Sequence, residues 1–238
     1  MVSYYFFTRH GGVSSGTYAS LNVSHGTGDD NGNIEENRSK INQRVGTERL
    51  LSAHQIHSDR VFVDNGEIDH SYEVDGFDAL ISTKPGTALM IQQADCQAVL
   101  LYDPLVRAIA AVHNGWRGSV ANVIAATIEQ MQHHFGTDPA HLQARISPSL
   151  GPCCAEFVNH EKELPAEFRR FQLRDNHFDF WQISAEQLRE AGLPPESIHL
   201  PDVCTSCSKD YFSYRRAVRE GSPRCGRHAS VVYLGEEG

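Results

Sequence analysis

Short runs of apolar residues alternate along much of the chain with turn-forming Gly, Pro and Asp, a pattern that predicts β-strands. An aromatic run opens the chain, and a dense group of apolar runs follows Leu50. We therefore expect the core to contain a β-sheet. The predicted strands are Val2–Thr8, Val61–Val63, Ala79–Ser82, Ala88–Gln92, Ala98–Tyr102, Ala108–His113, Gln143–Ser147, Phe212–Arg215 and Ser230–Leu234.

Apolar residues at helical spacing predict two longer amphipathic helices. The first covers Ile34–Val45, with Asn33 as a candidate N-cap and Gly46 at its end. The second covers Ser119–Phe135, and Gly136 stands just beyond it. Shorter helices are predicted at Ala166–Phe171 and Ser184–Ala191.

Strands and helices follow one another without the strict alternation of a doubly wound parallel fold. This order predicts the α+β class, with a mixed β-sheet covered by helices. Because no repeat, low-complexity tract or long linker divides the chain, we expect a single domain over residues 1–238. The polar, glycine-rich stretch Arg9–Asn33 is predicted to be a long loop and is a candidate lid.

Charge restricts the classes of partner. The 238 residues include 21 Lys and Arg against 30 Asp and Glu, and the formal net charge of −9 disfavours attraction to nucleic acids and anionic membranes. No apolar run approaches the roughly 18 residues of a spanning helix, and no secretory signal pattern opens the chain, so we expect a cytoplasmic protein. Six unevenly spaced cysteines predict reduced thiols or metal ligands rather than a disulfide framework.

Three candidate ligands, His57, Cys96 and His113, stand at the ends of extended apolar runs. Side chains at strand ends can converge at one edge of a sheet, and one thiolate with two imidazoles would supply three metal ligands. Three protein ligands and an open fourth position are typical of catalytic zinc. Cys96 and His113 could instead be the nucleophile and base of a thiol hydrolase, and the residues alone leave both chemistries open.

A second group of candidates lies towards the C-terminus. Cys204 and Cys207 form a C-x2-C pair, and Cys225 and His228 follow as C-x2-H, which is the pattern of a zinc ribbon. The aromatic run between the two pairs is atypical of a ribbon. If a zinc ion at these four residues only supports folding, the protein is a non-enzymatic, metal-stabilised interaction module.

Several arginines are candidates for binding an anionic or aromatic substrate. Arg117 is favoured because it follows His113 by four positions and precedes a predicted helix, where backbone N–H groups also point outward. The sequence therefore offers groups that could bind phosphate even though the chain is acidic overall. The other candidates are Arg9, Arg38, Arg215 and Arg216, with the aromatic residues Phe212 and Tyr214 nearby in sequence.

Taken together, several segments resemble one family, long called multicopper polyphenol oxidases or laccase-like proteins and regarded as purine nucleoside phosphorylases with adenosine deaminase activity. The resemblance runs nearly from end to end, and an ordered set of this length is specific. Its segments are Thr8–Ser14 (TRHGGVS), Ser20–Asn22 (SLN), Glu36–Arg38 (ENR), Gln55–His57 (QIH), Asp78–Thr83 (DALIST), Ala94–Cys96 (ADC), His113–Gly118 (HNGWRG), Gly151–Pro152 (GP), Cys204–Thr205 (CT) and Phe212–Arg216 (FSYRR).

The resemblance implies that His57, Cys96 and His113 bind zinc, with copper as the alternative metal. It also implies an α+β fold similar to that of proteins described as cysteine hydrolases. The implied partners are purine nucleosides and phosphate. In the implied reaction, phosphate attacks C1′ of adenosine, inosine or 5′-methylthioadenosine and releases the base and a pentose 1-phosphate, while hydrolytic deamination of adenosine is a second activity.

From this resemblance we expect Cys96, His113 and Arg117 to be the catalytic residues. Asn22 and Arg38, which lie in two of the shared segments, are the expected substrate contacts. These assignments concern side chains on well-separated stretches of the sequence, so they require the fold to bring them together.

Two other enzymes remain open under the same resemblance. The family's association with cell-wall precursor editing suggests a hydrolase that uses Cys96 and His113 on a UDP-muramyl conjugate. The older family name suggests a copper-dependent polyphenol oxidase. However, one thiolate and two imidazoles do not supply the several coppers that a multicopper oxidase needs.

The sequence departs from the family pattern beside the predicted ligands. Ser58 and Asn114 replace smaller residues, and we expect them to add hydrogen bonds around the metal ligands. His54 is the chief rival of His57 as a ligand. His57 is preferred because it occupies the motif position two residues after Gln55.

Overall fold

Strands that are buried on both faces form the centre of the protein in a computed structural model, which describes residues 1–236. In Thr87–Gln93, Leu89 and Ile91 point into one apolar core, whereas Ala88 and Met90 point into another. Such strands have continuous apolar sequences, which is why several of them could be predicted.

The strands follow one another closely in the first half of the chain and are sparser afterwards. In chain order they are β1 (Val2–Phe6), β2 (Arg49–His54), β3 (Val61–Val63), β4 (Tyr72–Asp75), β5 (Ala79–Ser82), β6 (Thr87–Gln93), β7 (Gln97–Asp103), β8 (Ala108–Asn114), β9 (Gln143–Ile146), β10 (Gln172–Arg174), β11 (His177–Phe178), β12 (Ile198–His199) and β13 (His228–Leu234).

Six α-helices occur among the described residues, and several connections contain 3-10 segments. The α-helices are α1 (Asn31–Val45), α2 (Trp116–Ala121), α3 (Val123–Phe135), α4 (His160–Glu163), α5 (Phe180–Glu190) and α6 (Tyr214–Arg219). The 3-10 segments are Gly16–Tyr18, His25–Thr27, Pro139–His141, Ala166–Phe171 and Pro195–Ser197. Within residues 1–236, no helix combines the length and the apolar character needed to cross a bilayer.

Two mixed sheets carry most of the strands. The five-stranded sheet has the order β1-β13-β6-β2-β4, in which β6, β2 and β4 run parallel and the other neighbours antiparallel. The six-stranded sheet has the order β12-β9-β7-β8-β5-β3, with parallel pairs at its two ends. Strands β10 and β11 form a separate antiparallel hairpin.

The layers stack as helix, sheet, sheet and helices. One core lies between the two sheets, where Leu89 of β6 meets Leu100 of β7 and Ile109 of β8 in the same apolar cluster. Ile41 of α1 packs on the outer face of the five-stranded sheet, and α3 and α5 cover the outer face of the six-stranded sheet, where Ile128 is buried. This arrangement confirms the predicted α+β class with mixed strands and covering helices, although the strands form two principal sheets.

The predicted helix over Ser119–Phe135 is wrong in one respect, because two helices share this stretch. Asn122 adopts a left-handed conformation (φ 56°, ψ 51°), which ends α2, and its side chain accepts a hydrogen bond from the Ala125 N–H (3.3 Å) as the N-cap of α3. The apolar stripe continues through the break. Periodicity alone therefore could not reveal it.

The N-cap assigned to Asn33 is also corrected. Helix α1 begins at Asn31, and Asp30 caps it by accepting a hydrogen bond from the Asn33 N–H (3.2 Å). Gly46 ends α1 in a left-handed conformation (φ 79°), as predicted.

The predicted strand Phe212–Arg215 is wrong. The Ser213 hydroxyl accepts a hydrogen bond from the Arg216 N–H (3.1 Å), so this residue caps α6, and the aromatic residues flank the cap. Strands β2 and β4 were not predicted, because Arg49 and Glu73 interrupt their apolar character. Both residues are ion-paired within the fold, Arg49 with Asp64 and Glu73 with Arg38.

Candidate metal centre

The structure brings the three predicted ligands together at one edge of the sheets. His57 follows β2, Cys96 lies in the turn between β6 and β7, and His113 is near the end of β8. The antiparallel pairing of β7 with β8 places Ala98 beside His113, so Cys96 lies two residues from that pair. One sulfur and one nitrogen from each imidazole all lie within 4.8 Å of one another.

A buried carboxylate, Asp78, orients His113. Nδ1 of His113 donates to Oδ1 of Asp78 (2.8 Å), and the backbone N–H of His113 donates to the Asp78 carbonyl (2.7 Å). With Nδ1 engaged in this way, Nε2 is the nitrogen free to bind a metal. A carboxylate that holds a histidine's other ring nitrogen is the usual support of a metal ligand.

The same carboxylate fixes the loop that carries His57. Asp78 accepts hydrogen bonds from the backbone N–H groups of His57 (2.9 Å) and Ser58 (2.6 Å), and from the Ser58 hydroxyl (2.8 Å). His57 itself is in the left-handed region, with φ of 63°. Burial alone would raise the pKa of Asp78, but the hydrogen bonds from His113 and Ser58 lower that pKa to about 2. The carboxylate is therefore ionised when it supports both histidines.

Sequence reasoning missed the role of Asp78, although the residue lies in one of the shared segments. The available signal was an aspartate placed directly before strand β5, which opens with three apolar residues. Of the two departures from the family pattern, Ser58 does bond to the carboxylate behind the ligands. Asn114 instead joins β8 to the helices, because its amide donates to the Ser184 hydroxyl (3.0 Å) and accepts from the Ser119 hydroxyl (3.2 Å).

Electrostatics favour the thiolate form of Cys96. Burial alone would raise the pKa of this thiol, but the charge of His113 and hydrogen bonds from both imidazoles lower it to about 6. Burial would likewise lower the pKa of His113, but the negative charge of Cys96 and the bond to Asp78 raise it to about 9. A thiolate at neutral pH is the form of cysteine that binds metals.

Gly115 keeps the space around the ligands open. A Cβ atom at this position would lie 2.9 Å from the Cys96 sulfur and 3.2 Å from Cδ2 of His57, both closer than normal packing allows. Two imidazoles and one thiolate suit zinc, and a soft sulfur donor also suits copper(I). The residues present therefore fit a metal ion held by three protein ligands.

Two adjoining cavities meet at these ligands and share His57, Cys96 and Tyr214 in their walls. One, which we call the aromatic cavity, has a volume of about 460 Å³. The other, which we call the polar cavity, has a volume of about 490 Å³. Both volumes lie in the range of small-molecule sites. The aromatic cavity also contains Trp116, Arg117, Phe157, Phe180 and Arg215, and the polar cavity contains His54, Glu73, Gln92, Gln93 and Arg227.

Arg117 lies in the wall of the aromatic cavity, as its predicted role requires. Its guanidinium lies over the Trp116 ring, 4.4 Å from the centroid, and its side chain is exposed. Arg215 lies in the same wall. Arg9 and Arg216 instead line a separate, smaller cavity, where Arg216 donates to backbone carbonyls that include that of Thr205 (2.7 Å).

Arg38 and Asn22 lie behind the polar cavity rather than in the walls of either cavity. Arg38 pairs with Glu73 (2.5 Å) and donates to the Val23 carbonyl (2.7 Å), so it holds a wall residue in place. Asn22 is fully buried and donates to Thr27 Oγ1 (3.0 Å) and Asp29 Oδ2 (2.9 Å). It therefore shapes the loop that carries Ser24, Gly26 and Thr27 into the polar cavity.

His54, the rival of His57, is exposed and bonded to Asp75 (2.7 Å). It lines the polar cavity but does not belong to the group of converging ligands. The geometry therefore separates the two histidines, which the sequence alone could rank only by motif position.

The proposed zinc ribbon is wrong, because its four residues do not converge. Cys225 is buried against Phe212 and Ala94, and His228 lies in β13 with its ring near Tyr211. The sulfur atoms of Cys204 and Cys207 instead lie next to those of two other cysteines, Cys153 and Cys154. An interaction module built on the predicted ribbon is therefore excluded.

Comparisons with known proteins agree with this architecture. A family model described as multi-copper polyphenol oxidoreductase laccase matches residues 3–235. A purine nucleoside phosphorylase from Bacteroides thetaiotaomicron is 31% identical, covering 90% of this chain and 86% of its own length. Purine nucleoside phosphorylase YfiH from Escherichia coli is also 31% identical, covering 95% and 91%. The crystal structure of Bacillus licheniformis hypothetical protein YfiH superposes with a TM-score of 0.88 at 25% identity, covering 98% of this chain and 92% of that one.

Proposed function

Since the chain belongs to the multi-copper polyphenol oxidoreductase laccase family, and relatives are named purine nucleoside phosphorylases, we propose that it is a zinc-dependent purine nucleoside phosphorylase. Its nucleoside substrates are adenosine, inosine or 5′-methylthioadenosine, and phosphate is the second substrate. Adenosine deamination is a further activity of the same site. The whole chain acts as one catalytic domain.

One observation carries this proposal: the three converging ligands lie where the aromatic and polar cavities meet. A metal held by His57, Cys96 and His113 would touch both cavities. A reaction between a heterocyclic and an anionic substrate needs an apolar surface and a cation beside the metal, and the cavities at these ligands offer both. When bound, zinc supplies Lewis-acid and orienting chemistry at a substrate oxygen.

The aromatic cavity suits the purine base. Phe157 packs against Phe180 with ring centroids 4.9 Å apart, so its ring is held firmly, and Tyr214 stands at the boundary with the polar cavity. Flat aromatic faces bind a heterocycle by stacking and by excluding water. The base would therefore lie among Phe157, Phe180 and Tyr214.

Cationic side chains suit the phosphate. Arg117 brings an exposed guanidinium to the aromatic cavity, where it can bind two phosphate oxygens at once, whereas the Arg215 guanidinium is bonded to the carbonyls of Cys154 and Glu156. In the reaction, an oxygen of phosphate forms a bond to C1′ while the bond from C1′ to the base nitrogen breaks. The electron pair of that bond remains on the base, which takes up a proton, and the pentose 1-phosphate is released. An arginine held beside the phosphate positions it and reduces its repulsion from developing negative charge.

Deamination uses the same bound adenosine with water in place of phosphate. Water adds at C6 of the purine and ammonia leaves, which gives inosine. The two reactions are distinguished by their products and by their need for phosphate.

The test compares metal-quantified wild-type protein with Cys96→Ala, with adenosine offered in the presence and absence of phosphate. We expect adenine and ribose 1-phosphate from the wild type only when phosphate is present, and inosine from the deaminase reaction. Cys96→Ala should lose more than about 100-fold in turnover, since even residues that only support metal ligands contribute about 10- to 100-fold.

Cys225→Ala is the matched control, because Cys225 is a buried cysteine that lies outside both cavities. It should retain activity. Full phosphorolysis by Cys96→Ala would refute the ligand assignment. Bound zinc without turnover of any nucleoside would refute the phosphorylase and favour the precursor-editing hydrolase.

A further inference from the structure

Four cysteines that take no part in the proposed reaction meet on two neighbouring loops. Cys153 and Cys154 follow Pro152 on one loop, and Cys204 and Cys207 lie on the other. Their four sulfur atoms all lie within 4.8 Å of one another. The Cys207 sulfur is 3.7 Å from that of Cys153 and 3.5 Å from that of Cys154.

These distances match four thiolates around a single ion better than they match disulfides. Zinc–sulfur bonds of about 2.3 Å in a tetrahedron place the sulfurs about 3.8 Å apart. A disulfide needs a separation of about 2.05 Å. All six cysteines of the chain are free of disulfide bonds, so four unpaired sulfurs share this small volume.

Backbone contacts bring the two loops close enough for this arrangement. Ser149 pairs with Cys204 in a parallel bridge, and the Thr205 N–H donates to the Ser149 carbonyl (2.9 Å). The Gly151 N–H donates to the Cys204 sulfur (3.2 Å), which adds a second contact between the two loops. A Cβ atom on Gly151 would lie 2.9 Å from Cβ of Cys204, so a glycine is needed for this approach.

We propose that Cys153, Cys154, Cys204 and Cys207 bind one zinc ion, giving the chain a second metal site that is structural. Four protein ligands close the coordination shell, which is typical of structural rather than catalytic zinc. Cys153 and Cys207 are exposed, so the ion can enter from solvent.

The second zinc stabilises the segment around Cys154 and Glu156, which forms part of the wall of the aromatic cavity. The carbonyls of Cys154 and Glu156 each accept a hydrogen bond from the Arg215 guanidinium (3.0 Å), and the Arg215 N–H donates to Asp95 (2.6 Å), the neighbour of Cys96. Glu156 and Arg215 both line the cavity. An ion that ties Cys154 to the Cys204 loop thus holds the segment against which the substrate binds.

Metal counting tests this proposal without any use of activity. Zinc is measured by mass spectrometry of the elements in protein purified under reducing conditions. We expect two zinc ions per chain in the wild type, one in the double variant Cys153→Ser/Cys207→Ser and one in Cys96→Ala. Cys225→Ser, a control at a cysteine outside both groups, should retain two.

X-ray absorption at the zinc edge of Cys96→Ala then observes the second site by itself. Four sulfur neighbours at about 2.3 Å would support the proposal. Nitrogen or oxygen neighbours in place of sulfur would overturn it, as would equal zinc contents in the wild type and the double serine variant. If the double variant does not fold, Cys153→Ser replaces it, because this side chain is exposed.

Thiol titration in denaturant covers the remaining rival. A tetrathiolate site leaves six titratable thiols in the wild type without added reductant. A count of four or two would show a disulfide at the group and overturn the zinc proposal. Because the readouts are metal content and thiol count, failure here leaves the proposed phosphorylase untouched, and loss of the phosphorylase leaves this site standing.

Discussion

The two groups of candidate ligands differ in what holds them. His57, Cys96 and His113 stand at the ends of strands that belong to the two sheets, and Asp78 at the start of β5 fastens two of them from behind. The four cysteines instead stand on two loops, joined to each other by a few backbone contacts. Strands supply rigid positions with an open side, whereas the loops supply enough ligands to surround an ion completely. The first arrangement is suited to a catalytic metal site, and the second is suited to a structural metal site that links the two loops.

The two groups are nevertheless connected. Asp95 accepts hydrogen bonds from the Thr205 hydroxyl (2.7 Å) and from the Arg215 N–H (2.6 Å), and it directly precedes Cys96. Asp95 is held in the left-handed region, with φ of 87°. Because Asp95 and Cys96 are in the same turn, the loop that carries Cys204 and Cys207 helps to position the metal ligand Cys96.

After Cys96→Ala itself, the largest effect is expected from Asp78→Asn, which keeps the shape of the side chain but removes its charge. Oδ1 of Asp78 accepts from His113 and from the His57 N–H, and Oδ2 accepts from the N–H and hydroxyl of Ser58. Because an amide has only one accepting oxygen, one of these two pairs of bonds must be lost, and either loss loosens the loop that carries His57. Zinc affinity at the first group should fall by about 10- to 100-fold, and turnover should fall with it. Chelator titration with element analysis measures the affinity.

Ser58→Ala serves as the graded control for that variant. It removes one hydrogen bond to Asp78 (2.8 Å) and leaves the carboxylate in place, so its effect on zinc affinity should be smaller. The zinc at the four cysteines should survive both substitutions. Unchanged affinity in Asp78→Asn would contradict the supporting role of this residue.

A moderate effect is expected from emptying the cysteine group with Cys153→Ser/Cys207→Ser. Loss of a link between two loops should cost about 2 kcal/mol of unfolding free energy, which for a chain of this size lowers Tm by about 4–8 °C. The KM for adenosine should rise severalfold, because the segment that carries Glu156 and Phe157 loosens, while kcat changes less.

Calorimetry and steady-state kinetics check this prediction, with Cys225→Ser as the control. A loss of kcat as large as that of Cys96→Ala would contradict the assignment of the four cysteines to a structural rather than a catalytic site. An unchanged Tm would show that the loops are held without the ion.

The sequence could predict the first group because strand ends and shared segments both pointed to the same three residues. It could not predict the carboxylate behind them, since the hydrogen bonds of Asp78 run mostly to backbone groups, which leave no pattern in the sequence. It also could not predict the cysteine group. The spacing of Cys204 and Cys207 pointed forward to Cys225, whereas their neighbours come from a loop about 50 residues earlier.

The fold shows the same division between what is local and what is not. Strands made of consecutive apolar residues, such as Val61–Val63, were predicted with their observed bounds. Arg49–His54 was missed because the burial of Arg49 depends on Asp64, a partner 15 residues away. The break at Asn122 was missed because the apolar stripe crosses it. Strands and helices that follow from a local residue pattern can be predicted from the sequence, whereas contacts between residues far apart in the chain cannot.

The smallest effect on activity is expected from substitution of Arg117. Comparing Arg117 with Arg215 distinguishes an arginine that binds substrate from one that stabilises the cavity wall. Arg117 is exposed above Trp116, whereas Arg215 donates to the carbonyls of Cys154 and Glu156. Arg117→Ala should therefore raise the KM for phosphate about fivefold, a modest value suited to an exposed ionic contact, with Tm unchanged. Arg117→Lys should recover part of the loss because the charge remains.

Arg215→Ala should instead alter both Tm and the KM for adenosine, because it releases the loop next to the cysteine group. Phosphate kinetics of the three variants decide the matter: an unchanged KM in Arg117→Ala would move the phosphate to the polar cavity, where Arg227 is the available cation.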